Sequence, residues 1–113
     1  MRLAIDAMGG DDAPGPIVQG CLDALVADEH LSLVLVGNEP QVKPLLDKTD
    51  GANHRIEFVH TDEVVGMDES PGVAMRRKPK SSINLCWSLL ANGSVDGLVS
   101  AGNTGAVVAG GLR

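Results

Sequence analysis

Short apolar runs alternate with amphipathic segments along this sequence. The runs at positions 3–5 and 31–36 are apolar at nearly every residue, positions 97–100 hold Leu98 and Val99 between Gly97 and Ser100, and positions 55–60 alternate between apolar and polar residues. These patterns predict four β-strands. The second run is typical of a strand covered on both faces, the last predicts a short buried strand, and the alternation of the third favours a place nearer a sheet edge.

The segment after the first run predicts a helix with one buried stripe. Turn-forming residues at 7–16 end the first strand, and we expect the helix to begin near Pro14 or Pro16, because proline fits a first helical turn. Asp11 or Asp12 is expected to cap this helix. Six apolar residues recur at helical spacing and form the predicted stripe: Ile17, Val18, Cys21, Leu22, Leu25 and Val26.

Helical segments also separate the later strands. Proline disfavours helix at the residue before it, serine commonly caps a helix, and glycine commonly follows the last helical residue. The resulting predictions are a short helix with Val42, Leu45 and Leu46 on one side, a helical turn at 73–77, and a longer helix capped by Ser81 or Ser82 and ended by Gly93. Alternating strands and helices predict an α/β fold with a mostly parallel sheet and helices on its faces.

Composition narrows the functional classes. The chain has 113 residues, 43% of them hydrophobic, which suits one core and at most a single domain. With one Phe, one Trp and no Tyr, it offers no expected surface for stacking bases, and a net charge of −6 argues against a nucleic-acid partner. Cys21 and Cys86 lie in apolar helical patterns, which predicts buried thiols and a reducing, cytosolic compartment. No stretch approaches the ~20 apolar residues of a membrane span.

Three predicted loops follow strands and carry unusual chemistry, at 6–12, 60–82 and 100–105. The carboxyl ends of parallel strands share one sheet edge, and open α/β sheets bind ligands beyond that edge. Asp6, which ends the first strand, is therefore an expected site residue. His60, which ends the third, is either an acid or base near neutral pH or a structural histidine.

The last loop has the composition of an anion site. Gly102 and Gly105 allow a ligand to approach the backbone, and the first turn of the helix expected after them favours negative charge. Ser100, Asn103 and Thr104 offer side-chain oxygens to a phosphate or a carbonyl. The alternative is a compact connection in which Asn103 or Thr104 only caps the helix.

The second basis for anion binding is a basic cluster. Four of the nine basic side chains of this acidic chain fall within positions 76–80. Arginine offers a planar fork to phosphate and lysine a mobile point charge, so an anion would be attracted here. The alternative is a solvated basic loop.

Several common sites are absent from the sequence. Positions 9–12 do not match the dinucleotide pattern G-x-G-x-x-G, and positions 102–105 lack the Gly-Lys-Ser/Thr of a P-loop. Neither NAD nor ATP is therefore indicated. No spacing of His, Cys and carboxylates suggests a metal.

Four stretches in this order resemble the bacterial phosphate acyltransferase family, PlsX. They are Ile5-Asp6-Ala7-Met8-Gly9-Gly10-Asp11, Val36-Gly37-Asn38-Glu39, positions 67–82 with Pro71, Arg77, Lys78 and Ser81-Ser82, and Ser100-Ala101-Gly102-Asn103-Thr104-Gly105-Ala106. The resemblance covers the whole chain and about the N-terminal third of the family's length. It implies that residues 1–113 are the N-terminal part of a single α/β catalytic domain, ending after the 100–105 loop and its helix.

The resemblance implies an enzyme of glycerophospholipid synthesis that converts acyl-(acyl carrier protein) and inorganic phosphate into acyl phosphate and free carrier protein. It implies a homodimer with a Rossmann-like fold, related to isopropylmalate dehydrogenases and phosphate acetyltransferases, located in the cytosol and attached peripherally to the membrane. The reaction needs neither a metal nor a redox cofactor. Three alternatives stay open: a phosphate acyltransferase that uses acyl-CoA, an anion-binding module without turnover, and an inactive structural fragment.

Site roles follow from joining this reaction to the residues. Backbone N–H groups and side chains of the loop at 100–105 are expected to bind phosphate or the oxyanion. The basic cluster is expected either to neutralise the charge of phosphate or to dock the acidic carrier protein. Asp6 and Asp11 are expected to orient these groups. The expected catalytic residues are Asn103, Thr104, Asp6 and Lys78. The expected phosphate-binding residues are Gly9, Gly10, Asp11, Arg77, Lys80, Ser81, Ser82, Ser100, Gly102 and Gly105.

Overall fold

Four parallel strands form the core sheet of the protein. A computed structural model describes residues 1–9, 13–46, 53–64, 73, 77–78 and 80–100. The strands in these ranges are β1 (Arg2–Asp6), β2 (Ser32–Gly37), β3 (Ile56–His60) and β4 (Gly97–Val99). Their order is β3-β2-β1-β4, and all three pairings are parallel. The predicted α/β class with a parallel sheet is confirmed, and this arrangement is compatible with a Rossmann-like fold.

Helices cover both faces of the sheet. They are α1 (Gly15–Ala27), α2 (Glu39–Leu46) and α3 (Ser82–Ala91), and a 3-10 turn (Asn53–Arg55) precedes β3. On one face Leu33 and Leu35 of β2 pack with α1 and α2, while on the other Val34 and Val36 pack with Cys86 of α3. Successive side chains of a strand point to opposite faces. The prediction that the second strand is covered on both faces is therefore confirmed.

The predicted ends of α3 are confirmed. The side chain of Ser81 accepts a hydrogen bond from the N–H of Asn84 at 3.4 Å, so Ser81 is the cap. Beyond the helix, Gly93 has a φ of 80°, a left-handed conformation that glycine adopts without strain. Arg77 has helical backbone and Lys78 does not, as predicted from the proline that follows.

Two predictions about α1 are wrong. The N-cap residue is Pro14, which makes no side-chain cap hydrogen bond, and not Asp11 or Asp12, which lie outside the described ranges. Val26 is 83% exposed, although it was expected in the buried stripe. The stripe is centred on Leu25, and one residue further turns the helix by about 100°, which directs Val26 to solvent.

The predicted burial of the last strand is also wrong. Val99 is 51% exposed, and Gly97 and Leu98 are only half-buried. Within the described ranges β4 pairs with β1 alone, so one side of the strand has no neighbour in that sheet. The prediction that the third strand lies nearer a sheet edge is confirmed, because β3 is an end strand in the order β3-β2-β1-β4 of the described ranges.

Arg55 joins the end of α1 to the start of β3. Its guanidinium donates to the carbonyl oxygen of Asp28 at 2.8 Å and to that of Leu31 at 3.1 Å, and it also donates to the carbonyl of Leu25. These carbonyls belong to the end of α1 and the turn after it. A cation at a helix C-terminus satisfies unpaired carbonyls and interacts favourably with the helix dipole.

We predict that Arg55→Ala lowers the free energy of unfolding by about 1.5–3 kcal/mol, because it removes a charged donor from several carbonyl groups. Urea unfolding followed by circular dichroism measures the change. The control is Lys43→Ala, which removes an exposed ammonium 3.4 Å from Glu39 within α2. This control should change stability by less than about 1 kcal/mol. Equal effects of the two substitutions would contradict the role given to Arg55.

Candidate functional site

The chain reverses direction across the sheet between β1 and β4. From β1 it proceeds to the neighbouring β2 and then to β3, and it returns to the other side of β1 with β4. In open α/β sheets, the crevice beyond the carboxyl ends of the strands at such a switch point is the preferred ligand site. Asp6 ends β1 and Ser100 follows β4, so two of the predicted site residues lie at this crevice.

A buried carboxylate connects the two strand ends. Asp6 is 3% exposed. One oxygen of its carboxylate accepts the N–H of Met8 at 3.1 Å, and the other accepts the hydroxyl of Ser100 at 3.0 Å. The carbonyl oxygen of Asp6 accepts the N–H of Gly9 at 3.4 Å, and Gly9 is itself buried. Asp6 therefore fixes the loop after β1 against the residue that follows β4.

Gly37 allows that loop to lie against the end of β2. A Cβ atom at Gly37 would be 3.0 Å from Cγ of Met8 and 3.2 Å from Cβ of Ala7, which is tighter than most Cβ contacts, so the loop after β1 would have to shift slightly. The N–H of Ala7 also donates to the carbonyl of Val36 at 2.9 Å. The absence of a side chain at Gly37 thus sets the position of the residues between Asp6 and Gly9.

Cys86 lies beneath the same carboxylate. It is fully buried on the α3 side of the sheet, and its pKa is raised above the ordinary value of 9.0 by burial and, to a lesser degree, by the charge of Asp6. Burial raises the pKa of Cys21, on the α1 side, to about 11. Both are free thiols, and they stay protonated near neutral pH. The prediction of buried thiols is confirmed.

We predict that stability falls as the pH rises above about 9. Between 9.0 and about 11 the Cys21 thiol ionises in the unfolded chain but not in the folded protein, so unfolding releases a proton. This thiol then lowers the free energy of unfolding by up to about 1.4 kcal/mol per pH unit. Urea unfolding from pH 8 to 11 measures the slope, which Cys21→Ala should reduce. Val26→Ala, exposed on the same helix, should leave it unchanged; equal slopes in both variants would contradict the assignment.

His60 stabilises the start of α2. Its Nδ1 accepts the N–H of Glu39 at 2.9 Å, and its Nε2 lies 3.3 Å from Oδ1 of Asp62. The side-chain amide of Asn38 donates to the same Asp62 oxygen at 3.1 Å. The first N–H groups of a helix have no partner within it. These contacts favour the structural interpretation of His60 over the acid–base one.

The basic cluster is attached near the end of β3. Nζ of Lys78 donates to the carbonyl of Val64 at 2.6 Å, and the N–H of Lys80 donates to Oε2 of Glu63 at 2.8 Å. Arg77 and Lys80 are exposed. Lys80 borders a groove of about 600 Å³, with Leu85 of α3 on its wall and the residues from Val59 to Glu63 along its length.

Ser81 and Ser82 have structural positions. Both side chains are buried, the Ser81 hydroxyl caps α3, and the N–H of Ser82 donates to the carbonyl of Glu63 at 2.9 Å. Their predicted contact with phosphate stays a prediction.

The predicted site thus divides into two described parts. Asp6, Gly9 and Ser100 lie together at the switch point, whereas Lys78 and Lys80 are attached two strands away. Neighbouring strands lie about 4.8 Å apart, so the ends of β1 and β3 are separated by about 10 Å. The remaining predicted residues lie outside the described ranges: Gly10, Asp11, Gly102, Asn103, Thr104 and Gly105.

Sequence reasoning missed Thr61 and Glu63, which contact the basic cluster directly. Thr61 is 6% exposed, and its hydroxyl donates to the carbonyl of Lys80 at 2.6 Å. Both residues follow the third predicted strand at the edge where ligands bind, and this position was the available signal.

The described part of the chain has neither a metal-binding cluster nor a membrane-spanning helix. Within it, no group of three or more His, Cys, Asp and Glu residues has the arrangement to hold a metal ion. Nor does it contain a helix with the length and apolar character needed to cross a bilayer.

These features define an α/β protein with an open parallel sheet and a polar site at its switch point. The chain belongs to the fatty acid synthesis protein family, whose sequence profile matches residues 1–113. It is 47% identical over 114 residues to a phosphate acyltransferase of Heliobacterium modesticaldum, with 99% of this chain and 33% of the relative covered. It is 50% identical over 111 residues to a phosphate acyltransferase of Anaeromyxobacter sp. (strain K), with 97% and 30% covered. The chain spans about a third of the length of these curated relatives.

Proposed function

We propose that the protein is a phosphate acyltransferase. It would transfer the acyl group of acyl-(acyl carrier protein) to inorganic phosphate, giving acyl phosphate and the free thiol of the carrier protein, for glycerophospholipid synthesis. The observation that carries this proposal is the Asp6–Ser100 hydrogen bond of 3.0 Å at the switch point, in a chain whose relatives are named phosphate acyltransferases. The fatty acid synthesis family supports a substrate from lipid metabolism.

The reaction requires that phosphate is positioned against the thioester carbonyl and that the charge of the oxyanion is stabilised. A phosphate oxygen attacks the thioester carbonyl, a tetrahedral oxyanion forms, and the carbon–sulfur bond breaks as the thiolate leaves and takes up a proton. No atom changes its oxidation state. Phosphate is already a nucleophile, so holding it against the carbonyl and stabilising the oxyanion supply most of the acceleration.

The proposed roles follow the two parts of the site. Asn103 and Thr104, with the backbone N–H groups of Gly102 and Gly105, would bind phosphate or the oxyanion. Asp6 would orient this loop, since its carboxylate accepts the hydroxyl of Ser100 and the N–H of Met8.

The basic cluster would neutralise the charge of phosphate. Arg77 and Lys80 are exposed and available to an anion. Nζ of Lys78 donates to the carbonyl of Val64, and its charge would add to the attraction for phosphate. The ends of β1 and β3 are about 10 Å apart, a gap that long basic side chains can cross to a phosphate held between them.

The wider context of this proposal comes from the family resemblance. Residues 1–113 would be the N-terminal part of a single catalytic domain that assembles as a homodimer in the cytoplasm and attaches peripherally to the membrane. Its partners would be the acyl carrier protein and inorganic phosphate.

The central test is an acyl phosphate assay on the whole natural protein that carries these residues, with acyl carrier protein thioester and phosphate. We expect Asp6→Asn to lower kcat/KM by about 100-fold, because misplacing a substrate-holding loop by about 1 Å has effects of this size. The control is Asp23→Asn, an exposed carboxylate of α1 that accepts a hydrogen bond from Gln19. Full activity of Asp6→Asn would contradict the proposed site. If product forms from acyl-CoA and not from the carrier-protein thioester, the acyl donor is acyl-CoA.

A second prediction separates phosphate binding from carrier-protein docking. We expect Arg77→Ala to raise the KM for phosphate about tenfold and to leave the KM for the carrier protein unchanged, because a charge-assisted hydrogen bond to phosphate is lost. Steady-state kinetics with each substrate varied in turn measures both constants. Lys43→Ala, exposed on α2, is the matched loss of a positive charge and should change neither constant. A rise in the KM for carrier protein alone would assign Arg77 to docking.

A further inference from the structure

Residues 61–64 are bound to Lys78, Lys80 and Ser82 beside the carboxyl end of β3. The hydroxyl of Thr61 donates to the carbonyl oxygen of Lys80 at 2.6 Å, and the same oxygen atom of Thr61 accepts the N–H of Glu63 at 3.1 Å. A single buried hydroxyl thus fixes the turn after β3 and the backbone of Lys80 at once.

Glu63 adds two contacts to the same segment. Its carboxylate accepts the N–H of Lys80 at 2.8 Å, and its carbonyl accepts the N–H of Ser82 at 2.9 Å. Thr61 and Glu63 together therefore bind both backbone polar groups of Lys80. The Lys80 side chain takes no part in these bonds, and Lys80 is exposed.

Both sides of this contact are anchored to the fold. The N–H of Thr61 donates to the carbonyl of Gly37 at 2.9 Å, which continues the pairing of β3 with β2 beyond the last strand residue. On the other side, the carbonyl of Lys78 accepts the N–H of Ser81 at 3.0 Å and the side-chain amide of Asn84 at 3.2 Å. Asn84 is 6% exposed within α3. The sheet and the helix thus hold the backbone at Lys78 and Lys80 from two directions.

We propose that Thr61 and Glu63 are positioning residues for phosphate: they hold the backbone of Lys80 at the end of β3 so that Arg77 and Lys80 face the anion. This inference rests on the proposed function, because it assigns these residues to the phosphate step of that reaction. Ordering a loop on binding costs conformational entropy, and a loop ordered beforehand avoids that cost. Thr61 and Glu63 do not touch the substrate.

The test compares variants of the whole natural protein in the acyl phosphate assay. Thr61→Val keeps the shape and removes the hydroxyl, and Glu63→Ala removes the carboxylate. Each should raise the KM for phosphate by about tenfold, with a smaller change in kcat, because a charge-assisted or buried hydrogen bond is lost. Thr61→Ser keeps the hydroxyl that donates to Lys80, and Glu63→Gln keeps a side-chain oxygen that can accept the N–H of Lys80. Both should have a KM for phosphate close to that of the unchanged protein.

Glu57→Ala is the matched control. Glu57 lies at the start of β3, at the other end of the strand from Thr61, and its carboxylate is 2.6 Å from the guanidinium of Arg2. The substitution therefore removes a bonded carboxylate from the same strand without touching the contacts of Lys80. It should leave the KM for phosphate unchanged. An unchanged KM in Thr61→Val and Glu63→Ala, or an equal rise in Glu57→Ala, would overturn the proposal.

Limited digestion with trypsin separates this proposal from the proposed function. Cleavage after Arg77 or Lys80, identified by fragment mass, should be faster in Thr61→Val and Glu63→Ala than in the unchanged protein or in Glu57→Ala. If neither the unchanged protein nor any variant makes acyl phosphate but cleavage is faster in Thr61→Val and Glu63→Ala, the proposed function falls while the attachment of Lys80 stands. Equal cleavage rates would overturn the attachment itself, whatever the activity.

Discussion

A buried carboxylate at the end of a central strand has to receive hydrogen bonds, because an ionised group without partners is strongly disfavoured away from water. Asp6 meets this requirement with the N–H of Met8 and the hydroxyl of Ser100. The two donors come from opposite ends of the described chain, and the requirement therefore fixes the loop after β1 against the residue after β4. Burial, and to a lesser degree the same charge, raises the pKa of the Cys86 thiol.

The parallel sheet determines which chemistry meets at this edge. All four strands point the same way, so Asp6, Gly37, His60 and Ser100 come to one edge of the sheet although they are far apart in sequence. Their roles at that edge differ. Gly37 provides space, His60 stabilises a helix start, and Asp6 with Ser100 lies at the crevice. The basic cluster adds positive charge beside the end of β3, two strands away from Asp6.

Local sequence patterns predicted what local interactions determine. The apolar run of β2, the Ser81 cap and the left-handed Gly93 each depend on residues close in sequence, and all three are confirmed. Val26 and Val99 were wrongly expected to be buried, because their exposure depends on which elements pack beside them. The meeting of the strand ends was predictable from alternation of strands and helices.

The contacts of Thr61 and Glu63 could not be predicted, since their partner at Lys80 lies 17 or more residues away in sequence. Nothing in the local pattern around either residue indicates where the basic cluster will lie. Their position after a strand marks them only as residues of the functional edge.

The basic cluster and the serine after it contain both structural side chains and exposed cationic ones. Ser81 caps α3, and Lys78 donates to the carbonyl of Val64, so the fold itself already accounts for these two side chains. Arg77 and Lys80 are exposed, while the backbone of Lys80 is held at both of its polar groups. A rigid backbone with exposed cationic side chains is the arrangement that binds an anion with the least loss of entropy. The proposed contact of phosphate with Arg77 and Lys80 would use this arrangement, because Thr61 and Glu63 hold the backbone of Lys80.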